Sequence, residues 1–157
     1  IELFGAYLGR VKQSQDIFTR INHDKPNCQS NQLFRGVLDE GGKSAYQGKV
    51  VVARDAQKTN ADQSNKSLLL SRKAEANAKP ELLIYADDVK CSHGATVGEL
   101  DKDQLFYLRS RGLEEAEAKS LLVEAFVAEV FDGLEDQVIA DRLKHKAAGW
   151  LSREMTS

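Results

Sequence analysis

Residues 55–67 read Asp55-Ala56-Gln57-Lys58-Thr59-Asn60-Ala61-Asp62-Gln63-Ser64-Asn65-Lys66-Ser67. The run is polar and rich in amides and hydroxyls: Gln57, Thr59, Asn60, Gln63, Asn65 and Ser67. Stacked coils of a β-solenoid can satisfy such side chains in hydrogen-bonded ladders. An exposed loop is the other reading, although long structureless loops are uncommon in compact domains. The choice between the two decides the fold.

Outward from this run, short strand-like segments alternate with polar turns. Strands are predicted over 3–9, 16–23, 32–39, 45–54, 66–70 and 81–86, each bounded by Gly, Asn, Asp, Ser or Lys clusters. Ile17, Thr19 and Ile21 alternate with Phe18 and Arg20, the period of a half-buried strand. Such regular short strands fit a sandwich, a barrel or a β-solenoid. No Asn-Gly or Asp-Gly dipeptide joins any two of them, and only Asp39-Glu40-Gly41-Gly42 offers a looser turn. That absence favours the solenoid.

The period changes near Gly98. Asp101 can N-cap a helix through Gln104, Leu105, Leu108 and Arg111, with Gln104 at the capping-box position and Gly112 as its stop. A second helix from about Glu114 shows the stripe Ala118, Leu121, Leu122, Ala125 and Phe126 and ends at Gly133. Glu129 extends that stripe, as its solvated rim, as a polar contact for Arg109 or Arg111, or as a contact for a docked partner. A third helix from about Glu135 shows Ile139, Leu143, Ala147 and Trp150 on one side. The expected division is therefore 1–97, a β region, and 98–157, a helical region.

Charge divides at the same place. The 157 residues carry a net −2, which argues against non-specific nucleic-acid binding. Residues 1–97 have 14 basic and 11 acidic side chains, a net +3, whereas 98–157 have 8 and 13, a net −5. No apolar run approaches the ~20 residues of a membrane span. Cys28 and Cys91 are too few for a disulfide framework and fit a reducing compartment such as the cytoplasm. Cys28, with His23 five residues before it, reads as structural or surface. The chain opens Ile1-Glu2-Leu3-Phe4-Gly5, without Met and inside a strand-like run, so a longer parent protein is expected.

The densest polar signal is Asp87-Asp88-Val89-Lys90-Cys91-Ser92-His93-Gly94-Ala95-Thr96. In an extended segment Cys91 and His93 share a face. Thiolate and imidazole both suit iron, copper and zinc. Two ligands cannot close a site, so a metal would be shared or transient. A buried thiol beside a turn histidine is the plain alternative. His93 could also lower the Cys91 pKa, but a thiol enzyme needs an orienting third group and an oxyanion site as well. No phosphate-binding Gly-rich loop and no Cys-x-x-Cys pair is present.

Leu82-Leu83-Ile84-Tyr85-Ala86-Asp87-Asp88-Val89-Lys90-Cys91-Ser92-His93-Gly94-Ala95-Thr96-Val97-Gly98 resembles the core signature of the SufD branch of the SufB/SufD family, in the SUF iron–sulfur cluster assembly machinery. Asp103-Gln104-Leu105-Phe106-Tyr107-Leu108-Arg109-Ser110-Arg111-Gly112, Ala125-Phe126-Val127-Ala128-Glu129-Val130 and Asp55-Ala56-Gln57-Lys58-Thr59 continue it. The resemblance implies a mainly β fold: a right-handed parallel β-helix followed by a small C-terminal α-helical domain. It also implies that this chain is the C-terminal part of a longer protein, with an unpaired edge on its first coil that invites self-association.

The resemblance implies partners too. SufB would pair through the β-helix, and the ATPase SufC would dock on the helices, with Arg109, Arg111, Phe126 and Glu129 as candidate contacts. Cys91 and His93 match positions associated with the SufB interface, where a cluster would be held only in passing, with further ligands from SufB. No catalytic residue, no resident cofactor, no nucleic acid and no membrane are implied, and the setting is the bacterial cytoplasm. FADH2 is not placed on this chain. Two rival functions are a β-helical enzyme acting on polysaccharide and a homo-oligomeric structural module. Asp87 and Asp88, adjacent in a strand, would face opposite ways and weigh against the first.

Overall fold

The computed structural model describes residues 1–152, with side chains through Trp150. Seven strands run in chain order: β1 Glu2–Gly9, β2 Ser14–His23, β3 Gln29–Leu38, β4 Lys43–Val52, β5 Asn60–Leu69, β6 Glu75–Ile84 and β7 Lys90–Gly98. Odd strands form one parallel sheet in the order β1-β3-β5-β7, and even strands form the other, β2-β4-β6. The chain thus winds as a β-solenoid of about three turns, with two strands per coil. Each coil advances the sequence by 29 to 32 residues, as in the columns Glu2–Asn31–Asp62–Ser92 and Lys43–Glu75. Every strand pairing is parallel, which accounts for the missing hairpin dipeptides.

The polar run 55–67 is neither a loop nor a ladder of like side chains. It is the corner before β5 and most of β5 itself, and Thr59, Gln63, Asn65 and Ser67 are buried. Thr59 bonds locally to the Ala56 carbonyl oxygen at 2.8 Å, and the others find partners across the bore on β4 and along the same sheet on β1. Gln63 Nε2 donates to the Tyr46 hydroxyl at 2.8 Å, and the Tyr7 hydroxyl meets Asn65 Oδ1 at 3.0 Å and Ser67 Oγ at 2.8 Å. Tyr7, Phe34 and Tyr46 fill the rest of this section, with the Phe34 and Tyr46 rings 5.1 Å apart. Strands β5 and β6 therefore begin earlier than the sequence pattern predicts. Their first inward positions are polar or small (Gln63 and Asn65; Ala76, Ala78 and Pro80), which hides the alternation. Pro80 is compatible with β6 because β6 is a sheet edge.

Glycine is required at two adjacent positions of one turn. Gly41 adopts φ +84° at the β3–β4 corner, and a Cβ on the next residue, Gly42, would lie 2.6 Å from the Gly9 carbonyl oxygen.

Helices α1 Lys102–Ser110, α2 Glu115–Ala128 and α3 Gln137–Ser152 follow. Asp101 caps α1, accepting from the Asp103 and Gln104 amides at 2.8 and 3.2 Å, and Gly112 stops it at φ +97°. The outer face of the first sheet is apolar (Phe4, Ala6, Leu8, Val37, Leu68), and α2 and α3 cover it with Val123, Val127, Val130, Phe131, Ala140 and Ala147. Phe34 to Leu38 is consequently buried on both faces of β3. Of the predicted α2 stripe, Ala118 is buried and Phe126 packs against the core, but Val123 and Val127 are buried beside them, and Leu121 lies in solvent. In α3 the predicted Ala147 is buried and Trp150 packs against the core, but Ala140 is buried in place of Ile139 and Leu143, which are exposed. Helix α2 ends at Ala128, short of Gly133.

Candidate functional site

Strand β7 is the last strand of its sheet, and its outer edge has no partner among the described residues. The facing edge strand β6 is likewise open. The solenoid therefore ends in an uncovered coil, whose inward-facing side chains meet solvent.

Cys91 and His93 are two of these. Cys91 stacks in register on Ala61, and His93 on Gln63. Cys91 is half-buried against Ala61, Ala86, Leu82 and Val89, whereas His93 is exposed. At ~3.3 Å per residue, their Cα atoms lie roughly 6.6 Å apart along one face. That spacing allows both to reach one metal at thiolate and imidazole bond lengths of about 2.3 and 2.1 Å. Burial pushes the Cys91 thiol up from its ordinary value, the Ala61 backbone opposes this, and the Asp62 charge adds to it. Desolvation is the largest of these effects, so metal binding at Cys91 must displace a proton. Among the described residues no group of three His, Cys, Asp or Glu side chains could hold a metal ion.

The neighbouring acids serve the corner. Asp87 and Asp88 are exposed in the turn between β6 and β7 rather than in a strand. The Asp88 amide donates to Gln57 Oε1 at 2.9 Å. Asp62 and Ser92, on the outer face, share a hydrogen bond of 2.5 Å.

The helical candidates separate into two pairs. Arg109 and Arg111 lie on the surface, Arg109 beside Glu115 at 3.4 Å and Arg111 over the Tyr107 ring at 5.2 Å. Phe126 and Glu129 turn inward to the solenoid. Glu129 does not meet Arg109 or Arg111. Its carboxylate accepts from Arg35 Nε and a terminal nitrogen at 3.0 and 2.9 Å, and Arg35 lies 5.8 Å from the Phe126 ring centre. The Arg35 side chain is 2 % exposed and that of Glu129 50 %. The hydrogen bond and charge of Arg35 hold the Glu129 carboxyl below the ordinary range, against the opposing effect of burial. Arg35 sits amid apolar residues on β3, so sequence spacing gave no sign of this partner 94 residues away. A second fastening joins Arg10 to the Trp150 carbonyl oxygen at 2.7 Å.

A cleft of about 610 Å³ lies between the β5–β6 turn, α1 and α2, away from Cys91 and His93. Its rim mixes Arg72, Lys102 and Lys119 with Asp39, Glu99 and Glu115, so it selects no ligand charge.

Fold and site together define a parallel β-solenoid with an attached helical layer, whose candidate ligands stand at an open end rather than in a closed pocket. A family model described as "SUF system FeS cluster assembly, SufBD core domain" matches residues 1–126. The chain is 45 % identical over 133 residues to a SufBD family iron–sulfur cluster assembly protein of Synechocystis, covering 85 % of this chain and 29 % of that protein. It is 44 % identical over 122 residues to iron–sulfur cluster assembly protein SufD of Escherichia coli, covering 78 % and 29 %. SufD of Bacillus subtilis is 38 % identical over 127 residues, covering 81 % and 29 %. The chain belongs to the SufBD family of the SUF iron–sulfur cluster assembly system and resembles its SufD members. It spans under a third of the length of these relatives.

Proposed function

We propose that this chain is a non-catalytic scaffold component of SUF cluster assembly, pairing with SufB through the open β6–β7 end and docking SufC on its helices. The observation that carries this reading is the exposure of His93, with half-buried Cys91, on the uncovered last coil. Two ligands without a third require others from a second surface, and an open strand edge is a ready template for another chain. The cluster is then cargo, held between two subunits rather than owned by one.

The helical layer supports the SufC half. Phe106, Tyr107, Leu121, Val138, Ile139 and Leu143 are all exposed apolar side chains. Arg109 and Arg111 flank them, and the surrounding charge is acidic, which sets specificity more than affinity. Motion imposed there would reach the solenoid through the Arg35–Glu129 and Arg10–Trp150 fastenings. No helix among the described residues is long and apolar enough to cross a membrane. Two free thiols fit the bacterial cytoplasm.

The self-association reading has one favouring observation, the edge of the first coil, where β1 and β2 are edge strands among the described residues and a second copy could pair. The polysaccharide-enzyme reading has none. Capture experiments with the full-length protein test the proposal. Thr96→Pro, which disrupts the β7 edge, is expected to lose SufB and keep SufC. Leu121→Asp with Ile139→Asp is expected to do the reverse. Loss of both partners in either variant, or of neither, overturns the two-surface reading.

A further inference from the structure

The two strands that close the last coil present different edges. In a parallel ladder a residue sends its N–H and C=O together to one neighbouring strand, and the next residue sends both to the other side. On β7 the Lys90 amide donates to the Thr59 carbonyl oxygen at 2.9 Å. Lys90, Ser92, Gly94 and Thr96 therefore serve the ladder with β5, and Cys91, His93, Ala95 and Val97 turn their backbone groups to the free edge. On β6 the Glu75 amide, and just beyond it the Tyr85 amide, donate to the Gly42 and Val52 carbonyl oxygens at 3.1 and 2.9 Å. The odd-numbered residues thus serve the ladder with β4, and Ala76, Ala78, Pro80, Leu82 and Ile84 face the free edge. Pro80 stands in the middle of that row. It has no N–H to offer, and its ring occupies the place from which the donor would point. Lys79 and Glu81 flank it, paired at 3.0 Å on the outer face. Proline and charge together are devices that keep a sheet edge from pairing. From Cys91 to Gly98, β7 has no Pro, Lys, Arg, Asp or Glu, and a Cβ on Gly94 or Gly98 would meet nothing within 4 Å.

We propose that SufB docks by adding one extended strand to β7 alone, as the fifth strand of the β1-β3-β5-β7 sheet, while Pro80 bars the β6 edge. The incoming strand bonds the backbone of Cys91, His93, Ala95 and Val97, so it must itself be free of proline where it faces them. Gly94 and Gly98 leave room beside the edge for its outward side chains. The added strand continues the sheet whose outer face carries α2 and α3, so the partner and the helical layer share one sheet. The second sheet ends at β6 with no strand laid along it. The space above His93 is then roofed from the β7 side and left open from the β6 side. The inference rests on the reading of the open end as the SufB surface, and narrows it to one of the two edges.

The test is residue-resolved amide hydrogen exchange of the full-length protein, alone and with SufB bound. The amides of Cys91, His93, Ala95 and Val97 are expected to slow by about tenfold or more in the complex, while those of Ala76, Ala78, Leu82 and Ile84 keep their rates. Slowing of both sets overturns the one-edge proposal and leaves the open end standing as the SufB surface. Slowing of neither set, with SufB bound, overturns both. Slowing of the β7 set before SufB is added assigns the strand to a second copy and overturns the proposal too. Prolines placed by parity give a second readout. Ala95→Pro and Ala78→Pro each remove an edge-facing N–H and no existing ladder bond. Ala95→Pro is expected to weaken SufB capture by about tenfold or more, and Ala78→Pro to change it by less than about twofold. Equal losses from the two, or a larger loss from Ala78→Pro, overturn the proposal.

Discussion

Removing the charge of Glu129 is expected to destabilise the protein more than removing that of Arg35, although Arg35 is the buried partner. The Arg35 side chain is 2 % exposed and that of Glu129 is 50 % exposed. Glu129→Gln leaves a guanidinium in the interior with a weaker acceptor and no counter-charge. A buried pair broken from one side costs ~3–5 kcal/mol, and an exposed pair contributes ~0.2–1 kcal/mol. With one end in water, about 2 kcal/mol is expected for Glu129→Gln. Arg35→Met removes the buried charge itself, and the freed carboxylate is solvated where it stands. Its cost is the lost bond to the Phe34 carbonyl oxygen, 2.9 Å in the native protein, and altered packing under Phe126, about 1 kcal/mol. The double variant should match Arg35→Met, so the coupling is about 2 kcal/mol. Urea unfolding of the full chain, followed by the fluorescence of Trp150 at the helix–solenoid junction, measures all four states. The thermal midpoint of Glu129→Gln should fall by about 4–8 °C for ~2 kcal/mol. A coupling below about 0.5 kcal/mol, the limit of ordinary additivity, would refute the reasoning. So would a larger loss in Arg35→Met than in Glu129→Gln.

The same pair sets a pH dependence. The folded Glu129 carboxyl titrates below its unfolded value because Arg35 bonds it. Its contribution is therefore complete above the ordinary glutamate range and is lost as pH falls through the depressed folded value. Acid titration should narrow the stability gap between the parent and Glu129→Gln, and a gap constant with pH would contradict this. Gly36→Ala would place a methyl in the Tyr7 ring, whereas Gly94→Ala meets nothing within 4 Å. Overpacking of about 1–3 kcal/mol is expected for the first and a change within about 0.5 kcal/mol for the second, by equilibrium unfolding. Leu121→Ser and Ile139→Ser, at exposed positions, should weaken SufC capture while moving the unfolding midpoint by no more than about 0.5 kcal/mol.

Much of this architecture is legible in the residues. Asp101, Gln104 and Gly112 mark both ends of α1 because capping chemistry is local. Absent hairpin dipeptides and the amide-rich run 55–67 point to stacked coils, although the run's buried amides, Gln63 and Asn65, bond to tyrosines rather than to one another in a ladder. What failed to show is what depends on distant chain. Gln63 and Asn65 look like loop residues until Tyr46, from the facing sheet, and Tyr7, two strands along the same sheet, bond to them. The stripes on α2 and α3 are right at Ala118, Phe126, Ala147 and Trp150 but miss Val123, Val127 and Ala140, which face an apolar sheet surface that only the coiled chain assembles. The pairing of Cys91 with His93 on one face follows from strand period alone. Their exposure does not, because it depends on which coil is last.

The central claim is that the open end carrying His93 and Cys91 works as a cluster-holding surface completed by a partner. The most direct measurement is the iron and sulfide content of the full-length SufB–SufC complex containing His93→Ala, after anaerobic reconstitution, beside the parent complex. The account predicts an intact complex with a severe loss of both. An intact complex with undiminished iron and sulfide would contradict it.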